Sequence, residues 1–188
     1  MMVEIQDKGC CMLRLVIGGS ASGKSEYAED LILSLSGEDK VDYIATMRCY
    51  DEETRERILR HQRRRDGGRF VTVEQEMNLP QIEADSLHSY GMLECVSNLL
   101  ANEMFSGDKT ADTPEGAGLA ERIAGEICDL ADNYREFVVV TNDIFEDSIV
   151  YDEITRGYIR ELGEINRLLA ERADSVTEVV CGIPLTIK

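Results

Sequence analysis

The chain of 188 residues is 43% hydrophobic and carries 37 acidic against 20 basic residues, a net charge of −17. This length suffices for one domain with its own core, although length alone also allows two small domains. The longest apolar runs, such as residues 137–141, are far shorter than the roughly 20 residues that cross a bilayer. The acidic balance argues against general binding of DNA or RNA, whose phosphates attract a basic surface.

The six cysteines show no CxxC spacing, and no histidine lies close enough to them to suggest a zinc site. Cys95 and Cys181 have apolar, strand-like neighbours and are expected to be small core residues. The N-terminus has no long apolar signal core, which favours a reducing cytoplasm. Residues 1–11 are polar and precede the first strand, so we expect a disordered extension, with Met12 as the candidate functional start.

Short apolar strands alternate with amphipathic helices along the chain. Strands are predicted at residues 13–17, 41–45, 70–74, 91–95, 137–141, 176–181 and 185–187. Helices are predicted from Lys24, over 51–65, 97–105 and 121–134, and around a stripe from Ile154 to Leu169. The first helix should bury Tyr27, Ala28, Leu31 and Leu35. Residues 106–118 are the best candidate for a mobile loop. This order predicts an α/β fold with a mostly parallel sheet covered on both faces, ending in an antiparallel hairpin around Gly182 and Pro184.

Residues 18–25 have the pattern GxxxxGKS of a phosphate-binding loop. Its members are Gly18, Gly19, Ser20, Ala21, Ser22, Gly23, Lys24 and Ser25. Glycines let backbone N–H groups turn toward phosphate oxygens, Lys24 places a charge near the outer phosphates, and the Ser25 hydroxyl can ligate Mg²⁺. Because the pattern lies between an apolar strand and an amphipathic helix, it favours a nucleotide site over an ordinary glycine-rich turn.

Ligands of parallel sheets bind beyond the carboxyl ends of the strands. Besides the loop, this rule nominates Thr46, Met47, Arg48, Glu74, Glu94, Asn142 and Asp143. Glu94 ends an apolar run, where an acid is costly without a cation or a donor. We therefore predict that Glu94 and Ser25 form a Mg²⁺ site, with an ordinary strand-end glutamate as the alternative.

One basic segment interrupts the acidic chain. Residues 54–69 contain seven arginines and two acids, a charge of +5 that leaves −22 for the rest. Helical spacing places Arg57, Arg64 and Arg65 on the same face as His61. Positive neighbours favour the neutral, nucleophilic imidazole and could hold a phosphate beside it. A solvated helix face is the alternative, and His88, which has no such setting, is expected to be a surface or loop residue.

Taken together, these motifs resemble the adenosylcobinamide kinase / adenosylcobinamide-phosphate guanylyltransferase family of cobalamin biosynthesis. The resemblance runs from about Met12 to Lys188. Beyond the generic phosphate loop, its ordered marks are Tyr43-Ile44-Ala45-Thr46, Asp51, Glu53, Arg57-Ile58-x-x-His61, Phe70-x-Thr72-x-Glu74, Leu93-Glu94-Cys95, Asn98-Leu99-Leu100, Val140-Thr141-Asn142, Arg156, Gly163, Asn166 and Gly182-Ile183-Pro184.

The resemblance implies a single RecA-like phosphate-loop domain over residues 12–188. Such an enzyme phosphorylates adenosylcobinamide with ATP or GTP and then transfers GMP from GTP to that phosphate. His61 occupies the position of the guanylylated histidine. The implied GTP contacts are the loop 18–25, Thr46, Met47, Arg48, Arg64, Arg65, Glu74 and Glu94. The implied cofactor is Mg²⁺, the partners are the corrinoid and the nucleoside triphosphate, and the assembly is a homo-oligomer, since family members can form trimers.

The sequence departs from the family pattern at several positions. Ala21 stands where arginine is common, Phe70 replaces a tryptophan and Asp66 a proline. The run 143–148, including Phe145 to Ser148, replaces an acid and a glycine-rich turn, and Val150 replaces a proline. These changes concern substrate-loop geometry more than the chemistry.

Two other functions remain open. The first is a phosphate-loop kinase of another small hydroxylated metabolite, in which His61 is structural and GTP leaves no covalent adduct. The second is a non-catalytic nucleotide-binding module, which binds nucleotide without corrinoid-dependent turnover.

Overall fold

The computed structural model describes residues 11–48, 68–105, 118–144 and 151–188. These residues contain seven strands in one sheet and four α-helices. The strands are β1 Met12–Gly18, β2 Val41–Ala45, β3 Phe70–Glu74, β4 Tyr90–Leu93, β5 Glu136–Asn142, β6 Ser175–Val180 and β7 Ile183–Thr186. The α-helices are α1 Lys24–Ser36, α2 Val96–Phe105, α3 Leu119–Ala131 and α4 Glu153–Arg172. Two 3₁₀ turns, Leu79–Gln81 and Ala84–Ser86, lie between β3 and β4.

The strand order is β3-β2-β4-β5-β1-β6-β7. All neighbouring pairs are parallel except β6 and β7, which are antiparallel. The predicted parallel sheet with a C-terminal hairpin is therefore confirmed. β1 leads into the phosphate loop, and β4 leads into Glu94. Because β5 lies between these two strands, the loop and Glu94 are two strand positions apart.

Each face of the sheet buries its own hydrophobic core. Leu15 of β1 and Val139 of β5 contribute to the core under α2, α3 and α4. The adjacent Val16 and Val138 contribute to the core under α1, because successive side chains of a strand point to opposite faces. Strands that are apolar on both faces are typical of a parallel sheet covered by helices.

The buried face of α1 differs from the predicted stripe. Ala28 and Ile32, four residues apart, are fully buried, whereas Tyr27, Leu31 and Leu35 are half-buried beside them. Lys24 lies on the same line as Ala28 at the first position of the helix and is also buried. The helix is therefore rotated so that its first lysine faces inward below the phosphate loop.

Most predicted strand bounds are confirmed, and β2 and β3 have them to the residue. β4 ends at Leu93 rather than at Cys95, but the Glu94 N–H still donates to the carbonyl oxygen of Ile44 at 3.0 Å. α3 ends at Ala131, before the predicted Tyr134. Glu94 thus lies just beyond its strand, where its side chain can face the site.

The C-terminal hairpin corrects two expectations. Cys181 and Gly182 form its turn, with φ values of 51° and 79°, as the favoured two-residue hairpin turn requires. The prediction that Cys181 is a core residue is wrong, since the turn exposes it. Pro184 lies within β7, paired with Val179, rather than between the strands; an edge strand tolerates proline.

Two predicted elements lie outside the described residues: the helix over 51–65, which includes His61, and the loop over 106–118 apart from Gly118. The predicted extension over residues 1–11 does so as well, except for Cys11. Among the described helices, none combines the length and the apolar character needed to cross a membrane.

Candidate active site at the phosphate loop

The glycine-rich loop joins β1 to α1, as predicted. The N–H of Ser22 donates to the carbonyl oxygen of Gly19 at 3.2 Å, and Ala21 and Gly23 have positive φ values of 56° and 91°. These conformations curl the chain into a tight arch at the N-terminus of α1. Such an arch presents backbone N–H groups to an anion, and the positive end of the helix dipole adds to the attraction.

Gly18 is required by close packing. A Cβ atom at this position would lie 2.6 Å from both the Ser22 hydroxyl oxygen and the carbonyl oxygen of Val179. The second contact is with the backbone of β6, which cannot move aside without disturbing the sheet. The end of β1 therefore accepts only glycine if the loop is to keep this shape.

Lys24 is 8% exposed, and its Nζ donates to the carbonyl oxygen of Gly19 at 3.1 Å. The ammonium group is thus held at the loop by the loop's own backbone. A nucleotide phosphate that enters the loop would meet this charge together with the helix N-terminus. The position fits the predicted role of Lys24 toward the outer phosphates.

Glu94 is 9% exposed, and its Oε2 accepts a hydrogen bond from the backbone N–H of Thr46 at 3.2 Å. Lys24 follows β1 and Glu94 follows β4, two strands away at the same carboxyl edge of the sheet, so the two side chains share one corner of the site. Burial is the main reason that the pKa of the Cys95 thiol is raised, which keeps it neutral. The corner therefore combines a carboxyl side chain, a lysine side chain and a thiol.

The donor set of this corner fits Mg²⁺. The ion keeps several waters and uses only one or two protein carboxylates. Glu94 supplies a carboxylate whose orientation Thr46 fixes, and Ser25 lies in the first turn of α1. Across the described segments, no group of three or more His, Cys, Asp or Glu residues is placed to hold a metal ion.

The segment after β2 is held by hydrogen bonds from two directions. Thr46 is fully buried, and its hydroxyl donates to the carbonyl oxygen of Cys95 at 2.9 Å. The Asn102 side-chain amide donates to the carbonyl oxygens of Thr46 at 2.8 Å and Glu76 at 2.9 Å. Arg48 forms an ion pair with Glu76. Thr46 thus supports the site from beneath, while Met47 and Arg48 are half-buried.

Glu74 lies apart from the phosphate loop. It is exposed at the end of β3, the edge strand, and β2, β4 and β5 lie between it and β1. Four strand spacings correspond to about 19 Å.

Phe70, at the other end of β3, packs edge-on against Tyr43 with ring centroids 5.9 Å apart, so it is a packing residue. His61, Arg64 and Arg65 lie outside the described residues.

Sequence reasoning missed a polar network behind the end of β5. The Asn142 amide donates to the Ser97 hydroxyl, and the Tyr158 hydroxyl donates to the Ser97 carbonyl oxygen at 3.0 Å. The Asn166 amide donates to the Asn142 carbonyl oxygen at 3.2 Å, and Thr141 donates to Asn166 Oδ1 at 2.7 Å. One signal was available: Asn166 interrupts the apolar stripe of α4.

His88 lies in the loop before β4, as predicted, and is partly exposed. Its Nδ1 lies 2.6 Å from Asp42 Oδ1, and its backbone N–H donates to Asp42 Oδ2 at 2.7 Å. Asp42 is buried near the start of β2, at the opposite end of the strands from the phosphate loop. His88 therefore supports a buried carboxylate away from the site.

The profile of the cobinamide kinase / cobinamide phosphate guanyltransferase family matches residues 14–187. The chain belongs to this family. It is 34% identical over 185 residues to the bifunctional adenosylcobalamin biosynthesis protein CobU of Escherichia coli, covering 94% of this chain and all of that protein. It is 31% identical over 180 residues to the corresponding protein CobP of Pseudomonas aeruginosa, covering 94% and 98%. The predicted family and the predicted transferase class are confirmed.

Solved structures with little sequence similarity share the fold. The flagellar accessory protein FlaH of Methanocaldococcus jannaschii superimposes with a TM-score of 0.53 at 11% identity, covering 94% of this chain and 78% of that one. A solved ATPase domain gives the same TM-score of 0.53 at 10% identity, covering 89% and 69%. The predicted RecA-like phosphate-loop fold is confirmed.

Proposed function

We propose that this protein phosphorylates adenosylcobinamide with ATP or GTP and then transfers GMP from GTP to the product, giving adenosylcobinamide-GDP. The observation that carries the proposal is the corner formed by the phosphate loop, Lys24 and Glu94, in a chain whose residues 14–187 match a family named for both activities. A phosphate loop alone would fit many kinases, and the family narrows the substrate to a corrinoid.

In the kinase step, the loop 18–25 binds the triphosphate through its backbone N–H groups, and Lys24 stabilises charge on the outer phosphates. Glu94 and Ser25 would hold Mg²⁺, which when bound neutralises phosphate charge. The hydrogen bond from Thr46 to Glu94 keeps that carboxylate aimed while the metal-bound nucleotide enters and leaves. These groups position the terminal phosphate for attack by the corrinoid hydroxyl, and none of them forms a covalent bond to the phosphate.

In the guanylyl step, an imidazole nitrogen of His61 attacks the α-phosphate of GTP. A nitrogen–phosphorus bond forms, the bond to the bridging oxygen breaks, and pyrophosphate leaves. The oxygen of the corrinoid phosphate then displaces the histidine. Arg57, Arg64 and Arg65 would compensate the phosphate charge.

The sheet order supports a position for the second site. Thr46, Met47, Arg48 and Glu74 follow β2 and β3, and residues 49–67 connect those strands. β2 and β3 lie about 14 and 19 Å from β1, at three and four strand spacings. We propose that the guanylyl site lies on the β2–β3 side of the carboxyl edge, separate from the kinase site; the alternative is that the helix of His61 moves on GTP binding.

Mass spectrometry after incubation with GTP and Mg²⁺ tests this function. We expect one acid-labile, base-stable GMP per chain in the wild type, and none in His61→Ala, which should retain kinase activity. His88→Gln, at the other histidine of the chain, is the matched control and should keep the adduct. An adduct that persists in His61→Ala would refute the assigned histidine, and its absence from an active wild-type kinase would favour a kinase of another metabolite. Nucleotide binding with no corrinoid-dependent ADP formation would favour a non-catalytic module.

The remaining parts of the proposal concern assembly and location. Residues 12–188 would form the catalytic domain, with 1–11 as an extension. A homo-oligomer, such as a trimer, is supported by apolar side chains on the C-terminal hairpin: Val180, Ile183, Leu185 and Ile187 are 43–63% exposed. A reducing cytoplasm is supported by the free thiols of Cys11, Cys95, Cys128 and Cys181. Light scattering of wild type and Ile183→Glu tests the oligomer, which the charged side chain should dissociate.

A further inference from the structure

Asn142 lies between the two halves of the kinase site. It ends β5, the strand between β1 and β4, and in the sheet register it is paired with Gly18. The N–H of Asp143 donates to the carbonyl oxygen of Gly18 at 3.0 Å, which ties the end of β5 to the start of the phosphate loop. The Asn142 side chain therefore lies between the phosphate loop, which follows β1, and Glu94, which follows β4.

The surrounding polar side chains form a hydrogen-bond network around Asn142. Asn166 and Thr141, both buried, form a hydrogen-bonded pair that holds the backbone of Asn142 through its carbonyl oxygen. Ser97, in the first turn of α2, accepts from its side-chain amide, and Tyr158 holds Ser97. Buried polar side chains are costly unless they are satisfied, and a satisfied network fixes one arrangement. This network fixes the position and direction of the Asn142 carboxamide.

The carboxamide has a donor that is weakly used. An asparagine NH₂ group carries two N–H donors. One of them has the Ser97 hydroxyl, whereas the other contact of this nitrogen is the Cys95 sulfur at 3.8 Å. A cysteine sulfur is a weak acceptor and this contact is long, so exchanging it for a phosphate oxygen costs little.

We propose that the Asn142 carboxamide donates a hydrogen bond to the terminal phosphate of the bound nucleoside triphosphate, and that Ser97 is the residue that positions it. The proposal rests on the kinase step proposed above. The loop 18–25 surrounds the inner phosphates, so a donor on the neighbouring strand, between Lys24 and Glu94, meets the phosphate that is transferred. A donor fixed before the reaction stabilises the charge that develops on that phosphate.

Titration of the full-length protein with two nucleotides in Mg²⁺ tests this role: ADP, and the non-hydrolysable triphosphate AMP-PNP. Asn142→Ala should bind AMP-PNP about tenfold more weakly, as for a lost hydrogen bond to a charged group, and ADP within twofold of wild type. Its kcat for phosphorylation should fall about 100-fold, with little change in the KM for the corrinoid. Ser97→Ala should show a smaller loss in the same direction.

Two further variants make the test specific. Asn142→Asp keeps the side-chain shape but lacks the donor, and should also lose affinity for AMP-PNP more than for ADP. Asn133→Ala is the matched control, because that amide donates to the carbonyl oxygens of Asp129 and Leu130 at the end of α3. It should bind both nucleotides like the wild type.

Equal weakening of both nucleotides in Asn142→Ala and Asn142→Asp would show a structural role and overturn the proposal, as would unchanged binding of both. The titration does not use the corrinoid. A wild-type protein that fails to phosphorylate adenosylcobinamide, but whose preference for AMP-PNP depends on Asn142, would refute the proposed function and support this inference.

Discussion

The backbone N–H of Gly182 donates to the carbonyl oxygen of Ser22 at 2.8 Å, so the turn of the C-terminal hairpin holds the phosphate loop from outside. A Cβ atom at Gly23 would come within 3.3 Å of the Gly182 Cα, so the two turns pack backbone against backbone. The shape of the nucleotide site therefore depends on residues at both ends of the chain.

Gly18→Ala should destabilise the protein by about 1–3 kcal/mol, because the new methyl group overlaps the backbone of Val179 and the Ser22 hydroxyl. Nucleotide affinity should fall with it, since relief of the overlap distorts the loop. Urea unfolding measures the stability. Gly19→Ala is the control, because a Cβ there meets nothing within 4 Å. Equal stability of the two variants would contradict the packing argument.

Lys24→Ala should lose at least 100-fold in kcat for the kinase step, because the variant removes the positive charge that the Gly19 carbonyl oxygen holds at the loop. Its thermal unfolding should resemble that of the wild type, since the lysine donates to the loop rather than to the core. Lys40→Ala, in the exposed turn after α1, should keep full activity. Turnover at the wild-type rate in Lys24→Ala would defeat the assignment.

Glu94→Gln should raise the Mg²⁺ concentration for half-maximal activity at least tenfold. The glutamine oxygen can still accept from the Thr46 N–H, so the variant keeps the local structure and loses only the charge. Activity assays across a Mg²⁺ series measure the change, with the exposed Glu83→Gln as control. An unchanged Mg²⁺ requirement would show that the carboxylate does not serve the metal.

The stability of α4 should depend on pH through its first residues. Asp152 caps this helix by accepting from the N–H of Thr155 at 2.7 Å, and this bond lowers the pKa of the carboxyl below its ordinary value of 3.8. A lowered folded-state pKa means that the carboxylate stabilises the fold above pH 3.8, and that this contribution disappears as the pH falls through the folded value.

Asp152→Asn keeps a capping side chain but has no charge to lose. The wild type should therefore be the more stable protein at pH 6, and its advantage over the variant should shrink toward pH 3. Urea midpoints of both proteins across this range provide the measurement. A difference in urea midpoint that stays constant with pH would show that the carboxylate charge does not contribute to stability.

Local patterns were sufficient to predict much of the fold. β2 and β3 are short apolar or alternating runs between polar turns, and their bounds are visible in the chain. The phosphate loop was predictable because its function fixes the residue type at four of its eight positions, and Glu94 because an acid after an apolar run needs a partner. Each of these signals lies within about ten consecutive residues.

The strand order and the Asn142 network were not predictable in this way. Hydrophobic periodicity indicates that a strand is buried, but not which strand lies beside it, so the insertion of β5 between β1 and β4 is visible only in the structure. The strand-end rule nominates Asn142, but Ser97 is 45 positions away and no local pattern links the two residues. The rotation of α1 is not visible in its apolar stripe, because the charged Lys24 shares the buried line of Ala28 and Ile32.

The sheet order also sets when the site is completed during synthesis. Arg14 of β1 bonds to Glu136 of β5, 122 positions later, and to Ser175 of β6, 161 positions later. At roughly 5–20 residues per second, the ribosome needs about 6–25 s after Arg14 before the first of these partners exists. Until then, β1 is an apolar strand without its sheet neighbours, a state prone to association with other chains. Substitutions that slow the pairing of β5 or β6 with β1 should therefore reduce the yield of folded protein, even where they touch no nucleotide. The phosphate loop is synthesised early, but its supporting strands are synthesised late.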